Sequence, residues 1–142
     1  MSHSKTVLLV EDSDMDSELI QMALNETGIS IAVVRVSDGV EALDYLQHGT
    51  APQNPIALVL LDIKLPRMNG IELLCRLKSE DETKSIPVVM FTSSRERQDL
   101  LACYHAGANA YIVKPVEFQE LLEVLCYIAR FWCSVNELPV SR

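Results

Sequence analysis

The stretch Ala57-Leu58-Val59-Leu60-Leu61-Asp62 decides the fold. Its apolar run reads as a strand buried on both faces, and the carboxylate that ends it sits at the mouth of the core, held by the sheet. Three other runs end in the same manner: Val7-Leu8-Leu9-Val10 in Glu11-Asp12, Val88-Val89-Met90-Phe91 in Thr92, and Tyr111-Ile112-Val113 in Lys114. If these strands lie parallel in one sheet, three acids, a hydroxyl and an ammonium converge at one edge. Such a set suits metal-assisted phosphoryl transfer to an aspartate.

Between the runs the apolar spacing changes from strand to helix, and the alternation repeats five times. Ser13 and Asp16 open a helix with Leu19, Ile20, Ala23 and Leu24 on one face, stopped at Gly28. A second strand covers residues 31–36. Asp38 then caps a helix bearing Val40, Leu43 and Leu46, closed by Gly49. Residues 50–55 carry two prolines and no apolar period, which marks a surface loop. Asn69 precedes a helix with Leu73, Leu74 and Leu77; Leu100, Leu101 and Tyr104 mark a fourth, ended at Gly107; a long last helix follows Pro115. Strands this uniformly apolar, each followed by a helix, predict an α/β doubly wound parallel sheet with its functional crevice outside the carboxyl ends of the strands.

Composition narrows the function. The 142 residues suit one domain with a single core, and 49% hydrophobic with 23% charged residues is an ordinary globular balance. A net charge of −8 argues against direct DNA binding and against docking on anionic lipid. No apolar run approaches the ~20 residues that span a bilayer, and the N-terminus lacks the layout of a signal peptide. Cys75, Cys103, Cys126 and Cys133 show no Cys-x-x-Cys spacing, so a reducing, cytoplasmic location is expected. His3, His48 and His105 have no mutual spacing that suggests a metal site.

Glu11-Asp12, the segment from Asp62 through Pro66 to Gly70, Thr92, and Lys114-Pro115 together resemble the receiver domain of two-component response regulators. The motifs appear in order on four strand ends and the resemblance spans roughly residues 5–130, so coincidence is remote. It implies a flavodoxin-like five-stranded sheet of order 2-1-3-4-5 with five helices, a receiver domain over residues 5–133 and a short tail over 134–142. It also implies that Asp62 accepts a phosphoryl group from a sensor histidine kinase, as an acyl phosphate. Glu11, Asp12, Asp62 and the Lys64 backbone carbonyl supply the oxygen ligands that Mg²⁺ prefers. Lys114 places a point charge on the phosphoryl oxygens, Thr92 hydrogen-bonds one of them, and Tyr111 reorients when Thr92 moves. In the family the Lys–Pro bond is cis. The chain would then catalyse only its own phosphoryl transfer and autodephosphorylation.

Other readings of these residues stay open. Glu11 and Asp12 could cap the first helix, Thr92 could be a β-branched strand end, and Tyr111 reads equally as a plain strand residue. Ser94 reads as a cap for the fourth helix. Lys64 departs from the family pattern at a position that tunes autodephosphorylation, and Val116 replaces the common aromatic after Lys-Pro. Lys64 also removes the second acid of the Asp-x-Asp pattern of aspartyl phosphohydrolases. A receiver-fold interaction module that works without phosphate is the main alternative.

Residues 49–55, 86–94 and the tail with Phe131-Trp132 and Leu138-Pro139 further resemble single-domain regulators paired with cyanobacterial phytochrome histidine kinases. That group tends to form homodimers through the last helix and tail. Here Phe118, Leu121, Leu122, Leu125, Ala129 and Trp132 make one apolar stripe. Val124, Tyr127, Ile128 and Phe131, helped by Trp132, are therefore expected at a dimer interface, unless residues 135–140 fold back over them.

Overall fold

Residues 5–49 and 54–139 are described by a computed structural model. The elements follow the order β1 (Lys5–Val10), α1 (Asp14–Asn25), β2 (Ile31–Val36), α2 (Gly39–His48), β3 (Ile56–Leu61), α3 (Gly70–Ser79), β4 (Val88–Thr92), α4 (Arg97–Ala106), β5 (Ala110–Val113) and α5 (Phe118–Arg130). A π-helical turn, Phe131–Val135, extends α5. All strand pairs are parallel and the sheet order is β2-β1-β3-β4-β5. The doubly wound, flavodoxin-like fold expected from the sequence is therefore the observed one. Most of the expected loop over 50–55 lies outside the described residues.

Alternation along the strands divides the core in two. Val7, Leu9, Leu58, Leu60, Val89 and Phe91 face α1 and α5, while Leu8, Val10, Val59, Leu61, Val88 and Met90 face the helices of the other layer. The three central strands are buried on both faces, whereas β2 and β5 at the edges are half-buried. Local chemistry sets the helix starts as the sequence predicts: Ser13 Oγ accepts from Asp16 N (3.2 Å), Asp38 Oδ1 from Glu41 N (2.9 Å), and Asn69 with Glu72 forms a capping box.

Three expectations need correction. In α4, Leu101 and Tyr104 are about half exposed and Cys103 is the buried residue, so the helix is turned away from the expected face. In α5, Ile128 is only 4% exposed and shares the core face with Leu121, Leu125 and Ala129, so it does not belong to an outer face. It lies three residues after Leu125 and seven after Leu121, the spacing of one helical face. Beyond Arg130 the wider π turn, closed by Asn136 N to Phe131 O (2.7 Å), brings Cys133 fully into the core and leaves Trp132 half-buried. Finally, no cis peptide occurs among the described residues, and Lys114 reaches the acids from a trans Lys114–Pro115 bond.

Gly70 is where the packing of α3 tolerates no side chain. Its N–H donates to Ile63 O (2.8 Å), and a Cβ there would overlap the Asp62 carbonyl oxygen. Gly70→Ala is expected to lower stability by about 1–3 kcal/mol, through displacement of the segment that follows Asp62. A shift of the urea midpoint at unchanged m-value measures this, and a wild-type midpoint would show that the segment gives way freely.

Candidate functional site

The parallel ladder sets the site. Val10 pairs with Leu61 and Thr92 with Val113, so these strands end level with one another. The hydrogen bonding then runs one residue further: Glu11 N donates to Val36 O (3.0 Å), Asp62 N to Val10 O (3.2 Å) and Lys114 N to Thr92 O (2.8 Å). Each functional residue is thus fixed by a backbone bond just past its strand. This is the crevice at the carboxyl ends that doubly wound sheets use for ligands.

Lys114 ties the edge together. From the end of β5 its Nζ lies 2.6 Å from Glu11 Oε1, 3.0 Å from Asp62 Oδ2 and 3.0 Å from Asp16 Oδ2. Burial alone would lower the lysine pKa, but the carboxylates of Glu11, Asp62 and Asp16 outweigh it and hold the ammonium well above its ordinary range. Its stabilising contribution is therefore fully present below pH 10.5 and is lost as the pH rises through the higher folded value. Glu11 is almost wholly buried, and this desolvation raises its pKa despite the bonds from Lys114 and from Ser13 N. Asp62 Oδ1 accepts from Ile63 N (2.7 Å), leaving Oδ2 to the lysine.

Glu11, Asp12 and Asp62 each offer a carboxylate oxygen, and these oxygens lie within 4.8 Å of one another. Three hard, anionic donors at one open edge fit a divalent cation such as Mg²⁺. That an ammonium already bridges two of them indicates a strong demand for positive charge. Asp12 is exposed, which leaves an approach from solvent. Helix capping is a side role for Glu11, whose Oε2 accepts from Ser13 N (3.1 Å), since Ser13 itself is the N-cap of α1. Lys64 is exposed on the segment beyond Asp62.

On the other flank, Thr92 is buried and its Oγ1 accepts from Ser94 N (3.2 Å). Tyr111 donates its hydroxyl to Ser94 O (3.0 Å), and Ser94 Oγ donates to Asp99 Oδ2 (2.6 Å). Thr92 and Tyr111 are thereby linked through one serine. Ser94 is not the N-cap of α4, which is Glu96, although its Oγ also accepts from Glu96 N (3.3 Å).

Sequence reasoning missed three supporting residues. The sequence marks Asp16 only as part of a helix start, yet it completes the lysine's set of acids. Arg35, on the edge strand β2, donates through Nε to Glu11 O (2.9 Å) and pairs with Asp14 (2.9 Å), which fixes the Glu11-Asp12 turn. Arg67, at a left-handed φ of 61°, reaches Asp38 Oδ2 (2.7 Å), while Gly39 N donates to Met68 O (3.3 Å); together they pin the Asp62–Gly70 segment to the start of α2. No spacing rule links these pairs. Only the topology brings them together.

With this fold and edge, the chain belongs to the response regulator receiver domain family, whose model matches residues 7–126. It is 35% identical to the response regulator Rcp1 of Synechocystis sp. over 139 residues, covering 96% of this chain and 95% of Rcp1. The Mn²⁺-bound form of Rcp1 is similar in structure, with a TM-score of 0.84 at 34% identity, over 96% of this chain and 99% of that one. The phosphorylated cyanobacterial phytochrome response regulator RcpA gives a TM-score of 0.88 at 36% identity, over 96% and 99% of the two chains. The bacteriophytochrome response regulator AtBRR is 44% identical with a TM-score of 0.74, over 96% and 100%.

Replacing Lys114 with Met is expected to destabilise the metal-free protein by about 3 kcal/mol, because two buried carboxylates would lose their counter-charge. Mg²⁺ should restore more stability to this variant than to the wild type, as read from thermal unfolding with and without the ion. Equal Mg²⁺ effects on both proteins would show that lysine and cation do not share ligands.

Proposed function

We propose that this chain is a single-domain response regulator that accepts a phosphoryl group on Asp62 from the phosphohistidine of a sensor histidine kinase. The observation that carries this reading is the position of Asp62, at the end of the central strand β3, between an acid pair and Lys114. An Asp62 carboxylate oxygen attacks phosphorus, the bond from phosphorus to the histidine nitrogen breaks, and an acyl phosphate results. Glu11, Asp12, Asp62 and the Lys64 carbonyl would hold Mg²⁺, which supplies charge neutralisation for two anions that must meet. Lys114 turns its ammonium to a phosphoryl oxygen and Thr92 offers its hydroxyl to another. As Thr92 moves toward the phosphoryl group, Tyr111 reorients, with Ser94, which donates to the one and accepts from the other, as the link between them. Autodephosphorylation by water at the same site would be the only other reaction.

The kinase proposed is phytochrome-like, a pairing supported by the likeness to phytochrome response regulators on 96% of the chain. An open groove lined by Met15, Leu19, Pro115, Val116 and Phe118 lies beside Lys114 and Asp16, where a kinase surface carrying the histidine could rest. Among the described residues no helix is long and apolar enough to cross a membrane. A cytoplasmic location and no direct DNA binding accord with this partner and with the net charge of −8.

Treatment with acetyl phosphate and Mg²⁺ is expected to add one phosphoryl group to the wild type and none to Asp62→Asn, as measured by intact mass. Asp12→Ala should require more Mg²⁺ for the same extent of modification. A phosphorylated Asp62→Asn protein with the label on Ser93 or Ser94 would refute the assignment.

We further propose homodimerisation through the outer face of α5 and the π turn. Tyr127, Phe131 and Val135 are 70%, 47% and 64% exposed, with Val124 and Trp132 half-buried at their margin. Leu138 packs on the core and the tail through Pro139, where the described residues end, leaves these three uncovered, which weighs against a tail that shields them. Tyr127→Lys with Phe131→Glu is expected to yield a folded monomer by sedimentation. A wild type that is monomeric at high concentration, phosphorylated or not, would remove the dimer.

A further inference from the structure

Of the three carboxylates on Lys114, two also belong to the acid trio that fits a divalent cation. Glu11 and Asp62 are shared; Asp16 is not. Asp16 projects from the first turn of α1, its side chain is 42% exposed, and its Oδ2 lies 3.0 Å from the lysine Nζ. A cation bound by Glu11 and Asp62 would compete with the ammonium for the same two carboxylates. It does not contest Asp16.

We propose that Asp16 is a positioning residue that holds Lys114 beside Asp62 when a divalent cation takes over the shared carboxylates. The proposal rests on the reading of Glu11, Asp12 and Asp62 as the metal site. In the metal-free protein Lys114 has three acids, so the loss of Asp16 removes one partner of three. In the metal-loaded protein Asp16 is the acid left to it, so the same loss falls mainly on that state. Without Asp16 the ammonium either stays on the metal's ligands and opposes the ion, or turns to solvent and leaves the edge where the phosphoryl oxygens arrive. Asp16 thus favours metal binding through Lys114, in addition to its own negative charge.

The two routes separate in a double-mutant cycle read by calorimetric titration with Mg²⁺ of the wild type, Asp16→Asn, Lys114→Gln and the double variant. Asp16→Asn is expected to weaken Mg²⁺ binding about threefold, the scale of a partly exposed ion pair. Lys114→Gln should tighten it by removing the competing cation. In that background Asp16→Asn should have little further effect, and Asp16→Glu in the wild type should keep most of the affinity. Equal weakening by Asp16→Asn with and without Lys114 would overturn the proposal, leaving only through-space charge; so would unchanged affinity in the wild-type background. Failure of the wild type to bind Mg²⁺, or binding indifferent to Asp12→Ala, would instead bring down the metal-site reading and this proposal with it.

Discussion

Four carboxylates and one ammonium crowd the carboxyl edge of the sheet, and the molecule is arranged around that excess of negative charge. Glu11 and Asp62 are buried there, where unpaired charge is costly. Lys114 offsets part of the excess, and the Ser13 N–H at the positive end of α1 offsets more by donating to the Glu11 carboxylate. Asp12 avoids the cost by facing solvent. What remains is a demand for cationic charge that one lysine does not meet. A divalent ion held by Glu11, Asp12 and Asp62 would answer it.

The two flanks of Asp62 are held with different strength. The segment leading to α3 is clamped by the Arg67–Asp38 ion pair, by the Gly39–Met68 backbone bond and by the close approach of Gly70 to the Asp62 carbonyl. On the opposite side the segment from Thr92 to α4 depends on the bonds of Ser94 to Thr92, Tyr111 and Asp99. The helices differ likewise, since α3 buries Gly70, Leu73, Leu74 and Leu77 and α4 buries only Cys103. A change at Thr92 therefore meets less resistance toward α4 than a change at Asp62 meets toward α3.

Much of this was legible in the sequence because strands buried on both faces leave unbroken apolar runs, and the residue that ends such a run must stand at the edge. Asp62, Glu11, Thr92 and Lys114 were found in this way, as were the caps at Ser13, Asp38 and Asn69. Asp16, Arg35 and Arg67 were not, because each acts on a residue 21 or more positions away and no periodicity encodes that distance. The errors in the helices have a simpler cause. Leu101 and Tyr104 are large and apolar but exposed, whereas the smaller Cys103 fills the core, so size misled the choice of face. In α5 both sides are apolar, and the start of the π turn after Arg130 lies in backbone bonding that apolar spacing does not record.

The surface left over by this construction has a consistent direction. The exposed Leu101 and Tyr104 belong to α4, the α-helix with the fewest buried residues, and Tyr127, Phe131 and Val135 line α5 and its π turn. Tyr111, on β5 and paired with Met90 of β4, reaches Ser94 at the entrance to α4. Half-exposed apolar side chains on a loosely held helix contribute less to the fold than the fully buried ones of α3. The same serine that accepts from Tyr111 also donates to Thr92, so Thr92 at the carboxyl edge is one residue removed from the entrance to the helix that carries this surface. Thr92, Ser94 and Tyr111 thus join the acid edge of the sheet to the start of α4 through two hydrogen bonds.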